Sequence, residues 1–218
     1  ALIDLYLQLL LPILASDMPT PLMKALEAGR PIAKLMARGE PFSRGKWALY
    51  SAATHHDWLK ADEVRRRLKR TVSEFFSRWH AIITPVSPTT AFEHVESGDA
   101  VTRLMTVDGK PVPYHMFHAW IALATVCHLP SVVIPVPRRA GELPCGVQII
   151  GPEGGDLDVL AFAEAELAAG RPAALITIVS LDGPFSRPLG AQLAVAGDKR
   201  VAWLPQAADL DRALDAAV

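Results

Sequence analysis

The chain has 218 residues, of which half are hydrophobic and 21% are charged, and its formal net charge at neutral pH is −1. This composition is that of a globular protein with one domain, or one domain plus a smaller unit. The near-neutral charge points to no nucleic-acid partner and no membrane partner. Two cysteines, Cys127 and Cys145, are too few for a disulfide scaffold or a cysteine-rich zinc site, which indicates a reducing, cytoplasmic setting.

The first predicted element is an apolar helix over Leu2–Leu14. In a signal peptide, a short basic segment precedes the apolar run, and the sequence shows none before this one. It contains Asp4, Gln8 and Pro12, whereas a membrane-spanning helix needs about 20 apolar residues. We therefore expect a helix of the protein core. Because the chain begins with Ala1 and not with Met, we also expect a longer protein upstream.

Two short helical pieces are predicted next, near Leu22–Ala28 and Ile32–Arg38, between prolines and glycines. From Asp57 onward, apolar residues recur at steps of three to five, which predicts a long amphipathic helix capped by Asp57. Basic side chains on its outer faces could form a nucleic-acid patch. Interleaved acidic residues such as Asp62 and Glu63 favour a solvated helix face instead.

The long helix leads into a short apolar strand, Ala81–Thr84. The strand should end at Pro85, since a prolyl nitrogen cannot donate a hydrogen bond to a sheet. Thr84 and Ser87 then lie at a strand end, where open α/β sheets bind ligands. An ordinary turn rich in hydroxyl groups is the alternative, and the sequence leaves both interpretations open.

The segment Val107–Pro111 predicts a turn between two extended pieces, and His115–Cys127 is apolar enough for a buried helix. His115 and His118 would share one face of that helix and could hold a metal ion. No carboxylate or thiol lies nearby at matching spacing, and the neighbouring aromatic residues favour packing. We therefore predict no metal site.

Two further strands are predicted over Ser131–Val136 and Cys145–Ile150, as continuous apolar runs typical of buried parallel strands. Gln148 is the polar exception, and it should face away from its two neighbours because side chains alternate along a strand. A buried amide needs a partner, so Gln148 should hydrogen-bond a loop or a strand end. A glycine-rich turn then leads to an alanine-rich helix over residues 157–169.

Three segments occur in the same order as in the amidase signature family, namely Ala81–Pro88, Leu129–Val136 and Leu143–Gly151, and residues 1–169 resemble the C-terminal part of that family. The resemblance implies an α/β fold: the C-terminal part of a mixed sheet flanked by helices. It also implies an amide hydrolase, which converts a carboxamide to a carboxylate and releases ammonia or an amine. The substrate-pocket candidates are Thr84, Ser87 and Gln148.

Members of that family use a serine nucleophile, a second serine in a cis peptide and a lysine base, and backbone N–H groups of a glycine-serine loop hold the oxyanion. This sequence contains no such loop, and none of its lysines matches the catalytic one. The resemblance thus assigns no catalytic residue, no metal and no cofactor. We expect the chain to be inactive alone and to act on a small-molecule amide only when joined to an N-terminal half. Cys145 is an alternative nucleophile, but no base is evident beside it, and a small buried thiol is favoured.

Residues 170–218 form a small α+β tail in this interpretation, with strands at Ala191–Ala196 and Arg200–Leu204 and a helix at Asp209–Ala217. From about residue 165 onward, the chain resembles the N-terminal segment of the XdhC/CoxI-like xanthine dehydrogenase accessory family. Gly183–Ala191 keeps part of that family's sequence pattern. That family's Gly-Gly-Cys element is absent, because no cysteine follows Cys145. The resemblance implies an alternative function, an accessory protein that handles the molybdenum cofactor during its maturation.

The body and the tail are expected to be poorly coupled units that meet near Ala169–Pro172. Since the residue before a proline disfavours the helical conformation, the preceding helix should end by Arg171. The strands of the body are apolar, and the resemblance implies that strands of an N-terminal half complete their sheet. We therefore expect an exposed apolar surface or a homodimer that covers it.

Overall fold

Helices form the N-terminal part of the chain, and a small sheet follows them. A computed structural model describes residues 1–39, 41–94, 98–99, 101–136 and 140–168, together with the backbone of 174–177, 192–196 and 199–200. The four helices that precede the first strand are α1 (Leu2–Ala15), α2 (Thr20–Met36), α3 (Arg44–Ser51) and α4 (His55–Phe76).

Helix α1 is a core helix, as its apolar sequence predicts. Leu7 and Leu11 are almost completely buried, and they belong to the same cluster as Leu68 of α4. Asp4, the charged residue of this run, meets α3: Lys46 Nζ lies 2.9 Å from its Oδ1, and Tyr50 donates its hydroxyl proton to the same oxygen at 3.2 Å. Within the described residues, we find no helix with the length and hydropathy that crossing a membrane requires.

Helices α2 and α4 differ in detail from their predictions. The two short pieces are one helix, which continues through Pro31. Arg30, the residue before Pro31, donates hydrogen bonds to the Ala52 carbonyl and to Asp57 Oδ2, the latter at 2.7 Å. These bonds connect this part of α2 to the start of α4. The N-cap residue of α4 is Thr54, and not Asp57 as predicted. The two residues form a capping box, in which each side chain accepts a hydrogen bond from the backbone N–H of the other.

The main sheet has three strands: β1 (Ile82–Pro85), β4 (Ser131–Pro135) and β5 (Gly146–Ile150). Their order is β1-β5-β4, and both pairs are antiparallel. The expected parallel pairing is therefore wrong. The continuous apolar sequence of β5 arises because it is the central strand and contacts a separate apolar cluster on each face.

Between β1 and β4 the chain forms a hairpin of β2 (Leu104–Val107) and β3 (Lys110–Pro113). The predicted turn is present as Asp108-Gly109, and both residues have positive φ, 50° and 74°. The helix predicted over residues 115–127 is divided: the first part is a 3₁₀ helix without buried residues, and only the second, α5 (Ala122–Cys127), is buried.

Helix α6 (Asp156–Ala168) packs on the sheet through Val159 and Ala163. The predicted end of this helix by Arg171 lies outside the described residues. The tail contains a separate antiparallel sheet of β6, β7 and β8. The bounds of its strands are Ala174–Thr177, Gln192–Ala196 and Lys199–Arg200.

The strand expected at Ala191–Ala196 is present as β7, whose backbone lies beside β1. The strand expected at Arg200–Leu204 is described only at its first residue, and the segments Gly183–Ala191 and Asp209–Ala217 lie outside the described residues. The fold class is α/β, as predicted, built from helices and small antiparallel sheets. The division at residue 169 stays a prediction.

Candidate functional site

Two of the three pocket candidates contact each other inside the main sheet. The register of β1 and β5 places Thr84 opposite Gln148. Thr84 donates its hydroxyl proton to Gln148 Oε1 over 3.2 Å. Both residues are buried, with exposures of 3% and 4%. The predicted hydrogen bond between Gln148 and a strand end is thus present, with Gln148 as the acceptor.

The alternation of side chains along β5 explains this placement. Val147 and Ile149 belong to the apolar cluster that contains Val159 of α6. Ile150 belongs to the other cluster, between the sheet and the helices α1, α4 and α5. Gln148 shares the face of Ile150, two residues away, because strand side chains alternate. Its amide is therefore a polar group at the border of a helical core.

Ser87, the third candidate, lies three residues beyond Thr84, in the segment that follows the end of β1. It is half-buried. Pro85 still pairs with Val147, so the chain leaves the sheet just before Ser87. The antiparallel sheet removes the argument that ligands bind at the carboxyl ends of parallel strands. What remains in favour of this location is the buried polar pair and the adjacent hydroxyl-bearing segment.

The two histidines considered for a metal site pack against each other and against aromatic rings. His115 and His118 have ring centroids 5.7 Å apart and nearly parallel planes, at 10°. His115 also lies 4.7 Å from the Trp47 ring, and His118 lies 5.7 Å from that of Tyr6. Burial, together with the charge of His115, lowers the pKa of His118. Among the described residues, no group of three or more potential ligands could hold a metal ion.

The two cysteines differ in burial, and Cys145 is not the buried one. Cys145 is exposed, so the expectation of a small buried thiol is wrong for it. It precedes β5 instead of lying inside the strand, which begins at Gly146. Cys127, at the end of α5, is fully buried, and burial raises the pKa of its thiol to about 12. A thiol with so high a pKa is a poor nucleophile at neutral pH.

A second group of polar side chains, which the sequence did not indicate, lies where α4 meets the end of α5 and the turn before α6. Lys69 Nζ is 2.6 Å from Glu153 Oε1. Arg65 Nη1 is 2.9 Å from His128 Nε2. Burial lowers the pKa of His128, and the charges of Arg65 and Lys69 lower it further. Lys69 and Glu153 are 84 positions apart, so no local pattern could have paired them.

Two families have sequence models that match this chain. The model described as Amidase matches residues 24–160, and the model described as XdhC and CoxI family matches residues 166–204. The first match covers more than half of the chain and includes the sheet and the Thr84–Gln148 pair.

The curated relatives include subunits of glutamyl-tRNA(Gln) amidotransferase from two bacteria. The protein of Thermotoga maritima is 31% identical over 121 residues, which are 56% of this chain and 23% of the relative. The protein of Rhodopseudomonas palustris strain BisB18 is 31% identical over 116 residues, 52% of this chain and 22% of the relative. The chain thus spans about a quarter of the length of the relatives that it matches.

Solved structures with a similar arrangement include the same Thermotoga maritima protein, with a TM-score of 0.42 and 25% identity over 69% of this chain and 27% of that one. A bacterial aryl acylamidase of the amidase signature family has a TM-score of 0.42 and 19% identity over 71% of this chain and 35% of its own.

Proposed function

Since this chain belongs to the amidase family, we propose that it supplies the C-terminal, pocket-wall portion of an amide hydrolase. The reaction would convert a carboxamide to a carboxylate with release of ammonia or an amine. The match of the Amidase model to residues 24–160 is the observation that carries this proposal. All three segments that resemble the family lie within that range.

In this proposal, Thr84, Ser87 and Gln148 line the wall of the substrate pocket. The hydrogen bond from Thr84 fixes the amide of Gln148 in one orientation, because its Oε1 is engaged as an acceptor. A buried amide held in this way can present its N–H groups in a defined direction. Ser87, half-buried beyond the end of β1, would add a hydroxyl group to the same wall.

The chain alone is expected to be inactive. Amide hydrolysis by this family needs an activated nucleophile and an oxyanion site. The sequence has no glycine-serine loop, and no serine with an adjacent base emerges among the described contacts. Lys69, one of the lysines of the body, is engaged by Glu153.

The substrate class and the partners belong to the same proposal. A small-molecule amide would bind only when an N-terminal half completes the site. Two of the relatives are named as subunits of an amidotransferase, which supports association with other chains. Exposed apolar side chains on α2 and α6 offer surface for such association or for a homodimer; they include Ile32, Leu35, Met36, Leu157, Leu160 and Leu167. A cytoplasmic location is proposed from the sparse cysteines.

A serine-directed fluorophosphonate probe tests the missing nucleophile. The purified chain should keep its unmodified mass after incubation, whereas an intact amidase of the family should gain one probe. If the N-terminal half of such an amidase is supplied and assembles, the label should fall on that half. A stoichiometric label on a serine of this chain would contradict the proposal.

The alternative function rests on the match of the XdhC and CoxI model to residues 166–204. An accessory protein that handles the molybdenum cofactor would use the tail as its functional end. Elemental analysis of the protein, purified from cells grown with molybdate, distinguishes the two. Stoichiometric molybdenum that is lost on truncation after residue 168 would favour the alternative.

A further inference from the structure

A cavity of about 320 Å³ opens between α4, the end of α5 and the turn before α6. This volume is at the lower end of the range for small-molecule sites, roughly 300–1,000 Å³. We call it the α4 cavity, and its lining includes Lys69, Phe76, Cys127, Leu129, Pro152 and Glu153. It is separate from the Thr84–Gln148 pair, which lies within the sheet.

The interior of the α4 cavity is apolar on several sides. Phe76 and Leu129 are half-buried members of the helical core's periphery, and Cys127 is fully buried. A neutral thiol behaves as a small hydrophobic group. These walls suit a short hydrocarbon body.

The polar part of the α4 cavity consists of the ion pair between Lys69 and Glu153 and of two serines, Ser73 and Ser77. The Lys69 side chain is 24% exposed, whereas that of Glu153 is 63% exposed. The carboxylate is thus the solvent-side partner and can move into water, while the ammonium group stays at the cavity. An exposed ion pair contributes little net stability, so an incoming carboxylate can replace Glu153 at low cost.

The surrounding charges favour an anion at this place. Arg65 lies beside the adjacent His128. Asp62, the nearby acid on α4, is already engaged by two arginines, Arg65 and Arg66. Lys69 therefore acts within a locally positive field, and its neighbour one turn along α4, Ser73, adds a hydroxyl donor to the cavity lining.

We propose that the α4 cavity binds a small monocarboxylate, with its carboxylate on Lys69 in place of Glu153 and a short apolar body against Phe76, Cys127 and Leu129. In the free protein the Glu153 carboxylate pairs with the Lys69 ammonium group. When the ligand binds, the Glu153 carboxylate moves away into solvent. The site needs neither a nucleophile nor a partner half, so its test is independent of amide hydrolysis.

Isothermal titration calorimetry of the full chain with 3-methylbutanoate and with 3-methylbutanamide tests the proposal. The two probes share the same hydrocarbon body and differ in charge. The carboxylate should bind about tenfold more tightly than the carboxamide, as a hydrogen bond to a charged group contributes more than a neutral one. Equal affinities, or no saturable binding of the carboxylate, would overturn the proposal.

Two variants with opposite expected effects sharpen the test. Lys69→Met should weaken carboxylate binding about tenfold and abolish the preference over the carboxamide. Glu153→Gln should strengthen it about two- to fivefold, because the competing carboxylate is gone. Lys60→Met, at an exposed position on the same helix, is the matched control and should leave the affinity unchanged.

Circular dichroism establishes that each variant is folded. If Lys69→Met does not fold, Glu153→Gln decides alone: an unchanged or weakened affinity for 3-methylbutanoate contradicts the displacement of Glu153. An effect of Lys60→Met as large as that of Lys69→Met would show a general charge effect and would equally refute the site.

Discussion

The hydrogen bond between Thr84 and Gln148 is the most informative single contact of the sheet, because it places a polar pair in an apolar layer. Replacement of Thr84 by Val keeps the shape but removes the donor to Gln148 Oε1. A buried acceptor left without its partner costs about 1–3 kcal/mol. We expect the free energy of unfolding of Thr84→Val, measured by urea denaturation, to fall by that amount.

A double-mutant cycle separates the hydrogen bond from packing. Gln148→Met removes the amide at similar volume, and the double variant Thr84→Val/Gln148→Met leaves no unpaired polar group. The double variant should therefore be more stable than the sum of the single losses predicts, by about 0.5 kcal/mol or more. Strict additivity would mean that the two side chains do not depend on each other.

His118 predicts a pH dependence of stability. Its pKa lies below the ordinary 6.5, first because burial disfavours the charged ring and then because His115 adds positive charge. Between the lowered folded pKa and the ordinary value, the unfolded chain binds more protons than the folded one. The free energy of unfolding therefore decreases as the pH falls below about 6.5.

Removal of this histidine should flatten that dependence. In His118→Gln, the loss of unfolding free energy between pH 7 and 5.5 should be smaller than in the unmodified chain, as judged by denaturant titrations at each pH. His56→Gln, at an exposed position of α4, controls for the loss of a histidine as such. An unchanged or steeper slope in His118→Gln would contradict the assignment.

At the scale of elements, α6 approaches the end of β5 closely. A Cβ atom added at Gly151 would lie 2.0 Å from Val159 Cγ2, so either the helix or the side chain would have to move. Val159 is buried and β-branched, which restricts its rotation. We expect Gly151→Ala to lower the thermal midpoint and to cost about 1–3 kcal/mol.

Gly29 provides the matched control, since it lies inside α2 and an added Cβ would meet nothing within 4 Å. Gly29→Ala should stabilise the chain by about 0.5–1 kcal/mol, because alanine is the better helix residue. Combining Gly151→Ala with Val159→Ala should recover part of the loss. Tolerance of Gly151→Ala without loss would show that α6 is not held closely on the sheet.

Local sequence patterns predicted several elements well. The apolar run of α1, the Asp-Gly turn between β2 and β3, and the strand that carries Gln148 all follow from periodicity or from backbone preference. Such signals lie within a few residues of one another. The alternation in β5 even predicted that Gln148 would face away from its neighbours and bond a strand end.

Features that depend on distant residues could not be predicted in this way. A continuous apolar strand indicates burial on both faces, but not the direction of its partners, and so β4 and β5 were expected to be parallel. Helix α2 continues through Pro31 while Arg30 is held by groups more than 20 positions away. The Lys69–Glu153 pair has the same origin, because only the packing of α4 on the turn before α6 brings the two together.

At the scale of the whole molecule, the body and the tail are proposed as two units that meet near residue 169. A protease acting briefly on the folded chain should cut first near Ala169–Pro172 and leave a stable fragment of residues 1–168, as judged by intact mass. Exposed segments next to a domain boundary are preferred sites of cleavage. Initial cleavage elsewhere, with residues 170–218 retained on the body, would contradict the division.

The family assignment is the firmest statement about the whole molecule: it is a member of the amidase family that spans about a quarter of the length of the relatives that it matches. It keeps a sheet with a buried Thr84–Gln148 pair. It has no glycine-serine loop for the nucleophile and the oxyanion. We therefore expect it to contribute to a substrate pocket without performing chemistry by itself.

Ammonia release from a panel of simple carboxamides, followed for the purified chain beside an intact amidase of the family, tests this claim most directly. The intact enzyme should turn over the panel. The chain alone should release no ammonia above the rate of the buffer, because the proposed function gives it no activated nucleophile. Sustained ammonia release by the purified chain, proportional to its concentration, would contradict the account.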